Sequence, residues 1–147
     1  LDFIFGVSCA EKWHGLNLLQ NSHHYGALGR PGKRAVGRVQ EAGAGVCSNP
    51  FVMVNGTIIG HGVVSMDTIC RDLTTWDTLN LPGSLQKPTR TICHDLRVQQ
   101  ANQVNMSSAT KVALLFLPKT FDKRDLYALI AGILYLGDSR MSVGGDD

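Results

Sequence analysis

Leu1-Asp2-Phe3-Ile4-Phe5-Gly6-Val7 opens the chain and places a single carboxylate inside an apolar, strand-forming run. Such a run predicts a buried β-strand. Burying a carboxylate without a partner is costly, so Asp2 should hold a cation, a hydrogen-bond donor or a metal ion. Two interpretations stay open. Asp2 caps a turn or pairs with an arginine at the end of the strand, or it is a metal ligand at a phosphoryl-transfer centre.

The composition is that of a folded globular protein with one ordinary core or two small domains. The chain has 147 residues, of which 44% are apolar and 18% are charged. Its formal net charge of +2 is too small to indicate nucleic-acid binding. Basic residues cluster between Arg30 and Arg38. This cluster is either a solvated face or a patch for phosphates or anionic lipid headgroups.

The cysteines and the ends of the chain bear on its cellular setting. Cys9, Cys47, Cys70 and Cys93 show no Cys-x-x-Cys spacing, so we expect no zinc site and reduced thiols. The chain starts inside a strand without an initiator methionine, and we therefore expect it to be a fragment. Its longest apolar run, residues 127–136, is too short to span a bilayer.

The first half of the chain predicts alternating helix and strand. Ser8 and Glu11 have the spacing of a capping box before a helix over residues 9–21. Asn55-Gly56 between two apolar runs predicts a β-hairpin whose second strand continues to Val64.

A second helix should follow the hairpin. Ser65 can cap it. Its apolar face, at i, i+4 and i+7, consists of Ile69, Leu73 and Trp76. Residues 81–84 should end this helical region, and residues 89–93 should form a short strand.

The composition changes near His94, and from there two helices are predicted. The apolar face of the first consists of Met106, Ala109, Ala113 and Phe116. Pro118 should end that helix, Asp122 should cap the second, and Gly137 should close it before a short strand over 137–141. We therefore predict an α/β (α+β) fold with one domain over 1–94 and a mostly helical part over 95–147.

Several polar residues could carry chemistry, and each has a structural alternative. Gly43-Ala44-Gly45 lacks the pattern of a phosphate loop and favours a close turn. Lys87, beside Pro88, is either a positioned charge for a triphosphate or a solvated lysine. Asp138 and Arg140 form either an ion pair or a metal ligand beside a phosphate clamp.

Two further groups are weaker candidates. His24 and Tyr25 could contact a nucleotide, although packing is the favoured interpretation. Cys47 in a glycine-rich loop could be a nucleophile, but no local signature supports that role.

Seven segments, taken together, carry a resemblance over nearly the whole chain except residues 29–41 and 94–103. In order they are WHGLNLLQNSHHY, GAGVCSNPFVMVNG, GHGVVS, DLTTW, GSLQKP, FLPKTF and IAGILYLGDSRMSVG. In this order and spacing they resemble the mitochondrial phosphatidate cytidylyltransferase family, also called the translocator assembly and maintenance family. The combination of GSLQKP and GDSRM in one chain is specific, and LDFIF is similar to the acidic strand of the family.

The resemblance implies a nucleotidyltransferase-like mixed sheet followed by a winged-helix-like part. It also implies that CTP and phosphatidic acid give CDP-diacylglycerol and pyrophosphate with Mg²⁺ or another divalent cation. The family acts peripherally, at an anionic membrane surface on the matrix side of the mitochondrial inner membrane. Carried onto this chain, Asp2 becomes a metal ligand and Lys87 a triphosphate contact. Asp138, a second metal ligand, lies with Arg140 in the second polar motif, and we expect the site between the two parts.

Two features depart from the family pattern. Nucleotidyltransferases usually place a Gly-Ser turn before the acidic strand, and they often carry Asp-x-Asp, whereas Ile4 stands two residues after Asp2. The second carboxylate should come from elsewhere, such as Asp138, and the chain by itself should be inactive without the amides of that turn. The alternative is a non-catalytic nucleotide- or lipid-binding assembly factor on the same fold.

Overall fold

The computed structural model describes residues 2–23, 25, 32–42 and 45–135. Within these residues the protein is mixed α/β, as predicted, and it contains a three-stranded sheet and six α-helices. The chain separates into two compact units, Leu1–Ile69 and Cys70–Asp147. The predicted domain division lies 25 residues later, after residue 94. That division stays a prediction. In the structure, residues 70–94 belong to the second unit.

The sheet of the first unit is mixed. It contains β1 (Asp2–Val7), β2 (Val46–Val54) and β3 (Thr57–Ser65) in the order β1-β3-β2. Strand β1 runs parallel to β3, and β2 runs antiparallel to it. The hairpin prediction is confirmed, because Asn55 and Gly56 join β2 to β3 with φ values of 48° and 78°. Two successive positive φ values are typical of the type I′ turn that Asn-Gly favours.

The prediction that β1 is buried is wrong for the residues described. This strand lies at one edge of the sheet, and Asp2, Ile4 and Phe5 are all exposed. An edge strand pairs with only one neighbour, so an apolar composition alone does not ensure burial. Phe5 still packs against α1, with its ring 6.4 Å from that of Trp13.

The helices of the first unit begin with α1 (Ala10–Gln20) and α2 (Lys33–Ala42). Helix α1 was predicted, but its capping box was not correct. Cys9 is the N-cap residue and makes no side-chain cap hydrogen bond, which puts Glu11 one position too early for the box. Helix α2 was not predicted, because its flanking glycine, proline and arginine residues resemble a loop.

The division between the units falls within α3 (Met66–Thr75). The cap prediction for this helix is confirmed, since the Thr68 backbone N–H donates to Ser65 Oγ at 3.1 Å. Ile69 and Leu73 are buried on one face, as the periodicity indicates.

The second unit is helical in its described part. It contains α4 (Asn80–Leu85), α5 (Leu96–Phe116), α6 (Lys123–Gly132) and a 3₁₀-helix (Ile133–Tyr135). Helix α4 occupies the segment predicted to be a break. Residues 89–93 form no strand, because a strand requires a pairing neighbour and the sheet described here pairs β1, β2 and β3 alone.

Helices α5 and α6, with the 3₁₀-helix, form the core of this unit. Ala109 and Ala113 on α5 are buried against Ile130 and Ile133. Asp122 caps α6 as predicted, in a reciprocal capping box with Asp125. The predicted Gly137 turn and the strand over 137–141 lie outside the described residues. Within the described ranges, none of the helices combines the length and the apolar character needed to cross a membrane.

Candidate functional site

Asp2 lies over a glycine of the central strand. In the parallel pairing of β1 with β3, Asp2 is opposite Gly60 and Ile4 is opposite Gly62. Strand side chains alternate, so Asp2, Ile4 and Gly6 share one face of the sheet. A Cβ atom added at Gly60 would collide with Oδ1 of Asp2. The carboxylate therefore occupies space above β3 that only glycine leaves free.

The same face of the sheet is covered at its other end. A Cβ atom on Gly6 would lie 2.6 Å from Met66 Sδ and 3.0 Å from Ile69 Cδ1, so α3 packs directly on that glycine. The Asp2 end of the face is exposed. The arrangement leaves a carboxylate accessible beside a flat, glycine-lined strand.

The surroundings of Asp2 suit a cation that keeps much of its hydration shell. Magnesium is usually bound by one or two carboxylates together with water and substrate phosphates. In the described part of the chain, no three His, Cys, Asp or Glu side chains cluster as a metal-binding group. The exposed Asp2 carboxylate could supply one ligand to such a cation. Asp138, the other predicted ligand, lies outside the described residues.

Lys87 of the GSLQKP motif lies against the segment that leads into GDSRM. Its Nζ donates to the Tyr135 hydroxyl at 2.5 Å and lies 4.5 Å from the centroid of that ring. Gly83 allows this contact, because a Cβ atom there would be 2.7 Å from Leu134 Cβ. Tyr135 precedes Asp138 by three residues in the sequence.

A buried amide holds the GSLQKP segment in place. Asn105 on α5 is fully buried. Its Oδ1 accepts from Trp76 Nε1 at 2.9 Å and from Gln86 Nε2 at 3.0 Å. Its Nδ2 donates to the Pro82 carbonyl at 3.1 Å. Residues on both sides of α4 are thus fixed to α5 immediately before Lys87.

Replacing Asn105 with alanine should destabilise the protein by about 2–4 kcal/mol, because two buried donors and a buried carbonyl lose their partner. Urea unfolding followed by circular dichroism measures this change. Gln103 is exposed on the same helix, and Gln103→Ala should shift stability by less than about 0.5 kcal/mol. Equal, small effects of both substitutions would show that the network does not hold this segment.

The DLTTW motif has a structural function in this protein. The Asp72 carboxylate is buried and accepts from the Thr78 backbone N–H at 2.9 Å and from Thr78 Oγ1 at 2.8 Å. It closes the turn after α3, where Trp76 has a φ of 59°. This turn directs Trp76 to Asn105.

Tyr25 belongs to a buried hydrogen-bond chain in the first unit. The side chain of Gln40 donates to the Gly45 carbonyl at 2.9 Å, so its Oε1 accepts from His14 Nε2 at 2.7 Å. His14 Nδ1 then accepts the Tyr25 hydroxyl at 2.9 Å in the neutral imidazole. Asn17 Nδ2 donates to that hydroxyl at 3.0 Å. The chain connects α1 and α2 to the start of β2.

These contacts give Tyr25 a structural function, as the packing interpretation expects. Burial raises the pKa of Tyr25, which keeps its hydroxyl protonated. A substrate contact by Tyr25 stays a prediction, and His24 lies outside the described residues. Burial likewise raises the pKa of Cys47, the opposite of what an activated thiol needs.

The glycine turn before β2 is partly described. Gly45 has a φ of 73°, and a Cβ atom there would lie 2.6 Å from Thr68 Cγ2. The predicted close turn is therefore confirmed for this residue. Residues 43 and 44 lie outside the described residues.

Sequence reasoning identified Asp2 and Lys87 but missed Gly60 and Tyr135. A glycine within an apolar strand often marks a close approach of another group, which is the signal that Gly60 carried. Tyr135 stands in an apolar run, and its contact with Lys87 spans 48 residues. Arg140, the predicted phosphate clamp, lies outside the described residues.

Comparison with known proteins yields one consistent match. The family model described as "Phosphatidate cytidylyltransferase, mitochondrial" matches residues 1–147. A protein of that name from Saccharomyces cerevisiae is 40% identical over 151 residues, which cover 100% of this chain and 39% of the yeast protein. Proteins of the same name from Xenopus laevis and Homo sapiens are 41% and 40% identical, over 99% of this chain and 44% and 33% of their own lengths. The chain thus spans less than half the length of these relatives.

Proposed function

We propose, since this chain belongs to the mitochondrial phosphatidate cytidylyltransferase family, that it carries catalytic residues of an enzyme that transfers CMP from CTP to phosphatidic acid. The products are CDP-diacylglycerol and pyrophosphate, which place the reaction in cardiolipin synthesis. The match over residues 1–147 is the observation that carries this proposal. The positions of Asp2 and Lys87 agree with it.

The reaction needs charge neutralisation more than acid–base chemistry. A phosphate oxygen of phosphatidic acid attacks the α-phosphorus of CTP, and the bond from that phosphorus to the bridging oxygen of pyrophosphate breaks. The lipid phosphate is already ionised at neutral pH, so no strong base is required. Positioning and electrostatic stabilisation supply most of the catalysis in such transfers. An exposed carboxylate and an oriented lysine match this requirement.

In this proposal Asp2 holds a magnesium ion at the triphosphate. A bound magnesium ion would neutralise phosphate charge and favour an in-line geometry. The accessible carboxylate above Gly60 suits that role, because it leaves space for water and phosphate oxygens as further ligands. Asp138 is proposed as the second metal carboxylate.

Lys87 is proposed to bind the triphosphate, in the ground state as well as in the transition state. Lys87 is half-buried as a residue, and its ammonium lies 4.5 Å from the Tyr135 ring centroid. A pre-oriented cation loses little entropy when the substrate binds. Arg140 is proposed to clamp a phosphate beside it.

Magnesium-dependent release of pyrophosphate from CTP and phosphatidate by the full-length protein tests this function. The expected result is one CDP-diacylglycerol for each pyrophosphate, with no release when phosphatidate or magnesium is omitted. Binding of CTP or lipid without any turnover would instead support the alternative, a non-catalytic assembly factor.

We also propose that the protein acts peripherally, on the matrix side of the mitochondrial inner membrane. The end of the α5–α6 hairpin supports a membrane contact. Four apolar side chains there are 41–82% exposed: Leu114, Leu115, Phe116 and Phe121. Four exposed basic residues lie in the same part of the sequence: Lys111, Lys119, Lys123 and Arg124. Apolar side chains flanked by cations are typical of surfaces that bind anionic membranes.

Replacing Leu115 and Phe116 together with serine should weaken binding to vesicles that contain phosphatidic acid roughly tenfold or more, since both side chains would leave the lipid. Co-sedimentation with phosphatidylcholine vesicles, with and without phosphatidic acid, measures this. Phe51→Ser is the matched control, because Phe51 is 82% exposed on a hairpin whose residues 46–65 include no Asp, Glu, Lys or Arg. An equal loss in both variants would contradict a specific contact through the α5–α6 end.

A further inference from the structure

The contact between Lys87 and Tyr135 leaves one hydrogen-bond donor unused on the tyrosine. A lysine ammonium has three donors and no acceptor, whereas a tyrosine hydroxyl can accept and can also donate its own proton. Lys87 Nζ donates to the hydroxyl oxygen. The hydroxyl proton therefore cannot return to Lys87 and is available to water or to a ligand.

The rest of the described chain does not supply an acceptor for that proton. Within residues 2–23, 25, 32–42 and 45–135, Lys87 is the hydrogen-bond partner that the structure gives the Tyr135 hydroxyl. Tyr135 is 41% exposed, so a ligand can reach it. The two side chains together present two ammonium N–H donors and one O–H donor around a single positive charge.

We propose that Lys87 and Tyr135 bind one substrate phosphate group as a pair, with the tyrosine O–H as a second donor and the ring as the support of the ammonium. This inference rests on the proposed function and adds Tyr135 to its site. Phosphate oxygens only accept hydrogen bonds, and they favour donors that carry positive charge. The three free donors of the pair match that requirement.

The aromatic ring gives the pair its orientation. The ammonium lies 4.5 Å from the ring centroid, within the range of a cation–π contact. The backbone beneath the ring is held in turn, because Leu134 packs where a side chain on Gly83 would stand. Tyr135 is thus both a positioning residue for Lys87 and a direct phosphate donor.

Tyr135→Phe separates the hydroxyl from the ring, because phenylalanine keeps the cation–π contact. We expect the KM of the full-length protein for the substrate bound by the pair to rise about tenfold to a hundredfold, the usual effect of losing one hydrogen bond to a charged group. A rise in the KM for CTP assigns the pair to the triphosphate, and a rise in the KM for phosphatidate assigns it to the lipid phosphate. Tyr127→Phe removes a hydroxyl from an exposed tyrosine of α6 and should leave both constants unchanged.

A double-mutant cycle distinguishes a shared site from a general loss of structure. In a Lys87→Ala background, Tyr135→Phe should change the KM less than twofold, because the pair is already broken. Thermal unfolding of each variant reports on the fold independently. Full-sized, additive effects of the two substitutions, or no KM change in Tyr135→Phe, would overturn the inference.

Calorimetric titration with inorganic pyrophosphate tests the pair without turnover. Weaker binding by Tyr135→Phe than by the wild type supports the pair. This conclusion holds even if the protein makes no CDP-diacylglycerol, a result that would refute only the proposed function. Equal binding by the two proteins, together with normal turnover in both, would leave the proposed function intact and exclude this function of Tyr135.

Discussion

Asp2→Asn in the full-length protein should lower kcat by roughly a thousandfold or more, about 4 kcal/mol of transition-state stabilisation, because the cation at the triphosphate loses its carboxylate. The fold should persist, since asparagine has nearly the same volume and Asp2 is exposed. Pyrophosphate release at saturating CTP and magnesium measures kcat. Glu11→Gln is the control, because Glu11 is another exposed acid of the same unit, paired with Arg34 at 3.7 Å.

A second variant tests the same carboxylate without removing it. Gly60→Ala puts a methyl group where Asp2 Oδ1 lies, and the flexible aspartate side chain must move aside. Turnover should fall while unfolding changes little, because the nearest backbone atom, the Pro50 carbonyl oxygen, is at an ordinary contact distance of 3.6 Å. Wild-type kcat in both Asp2→Asn and Gly60→Ala would remove Asp2 from the site.

Lys87→Ala should raise the KM for CTP about tenfold to a hundredfold, the usual cost of losing a hydrogen-bonded charge on a phosphate. The effect on kcat should be smaller, because a charge that contacts the bound triphosphate stabilises the ground state as well as the transition state. Steady-state kinetics with each substrate varied in turn give both constants.

The comparison variant for Lys87 is an exposed lysine of α5. Lys111→Ala removes an exposed positive charge from α5 and should leave the KM for CTP unchanged at saturating lipid. A rise confined to the KM for phosphatidate in Lys87→Ala would move Lys87 to the lipid site. Equal effects of both lysine variants would show that Lys87 contributes only through the general electrostatic field of the protein.

The features predicted correctly from sequence are those encoded by near neighbours in the chain. Asn55-Gly56 specifies its turn within two residues, and Asp122 caps α6 through Asp125, three residues away. On the predicted apolar face of α5, Ala109 and Ala113 are buried one turn apart, whereas Phe116 at the end of that face is exposed. Such signals can be read without knowing the tertiary structure.

The features predicted wrongly depend on distant partners or on a shift of one residue. The exposure of β1 depends on how many strands flank it, and the run over 89–93 lacks a strand to pair with. The capping box at α1 fails because the helix begins one residue after the expected position.

The candidate site shows the same limit. Asp2 and Lys87 were identifiable from their residue types and motifs. Gly60 contacts Asp2, 58 residues earlier in the chain, and Tyr135 contacts Lys87, 48 residues earlier. These contacts become apparent only when the sheet register and the position of the 3₁₀-helix are known.

Metal rescue would show whether Asp2 holds the divalent cation of the proposed cytidylyltransferase site. Asp2→Cys offers a soft sulfur ligand, which favours cadmium over magnesium, whereas Asp2→Ser has a similar size without a thiolate. We expect both variants of the full-length protein to be inactive with magnesium. Addition of cadmium should restore pyrophosphate release to Asp2→Cys at least about tenfold and leave Asp2→Ser inactive. Wild-type activity of Asp2→Cys with magnesium, or the same response to cadmium in both variants, would contradict that function of Asp2.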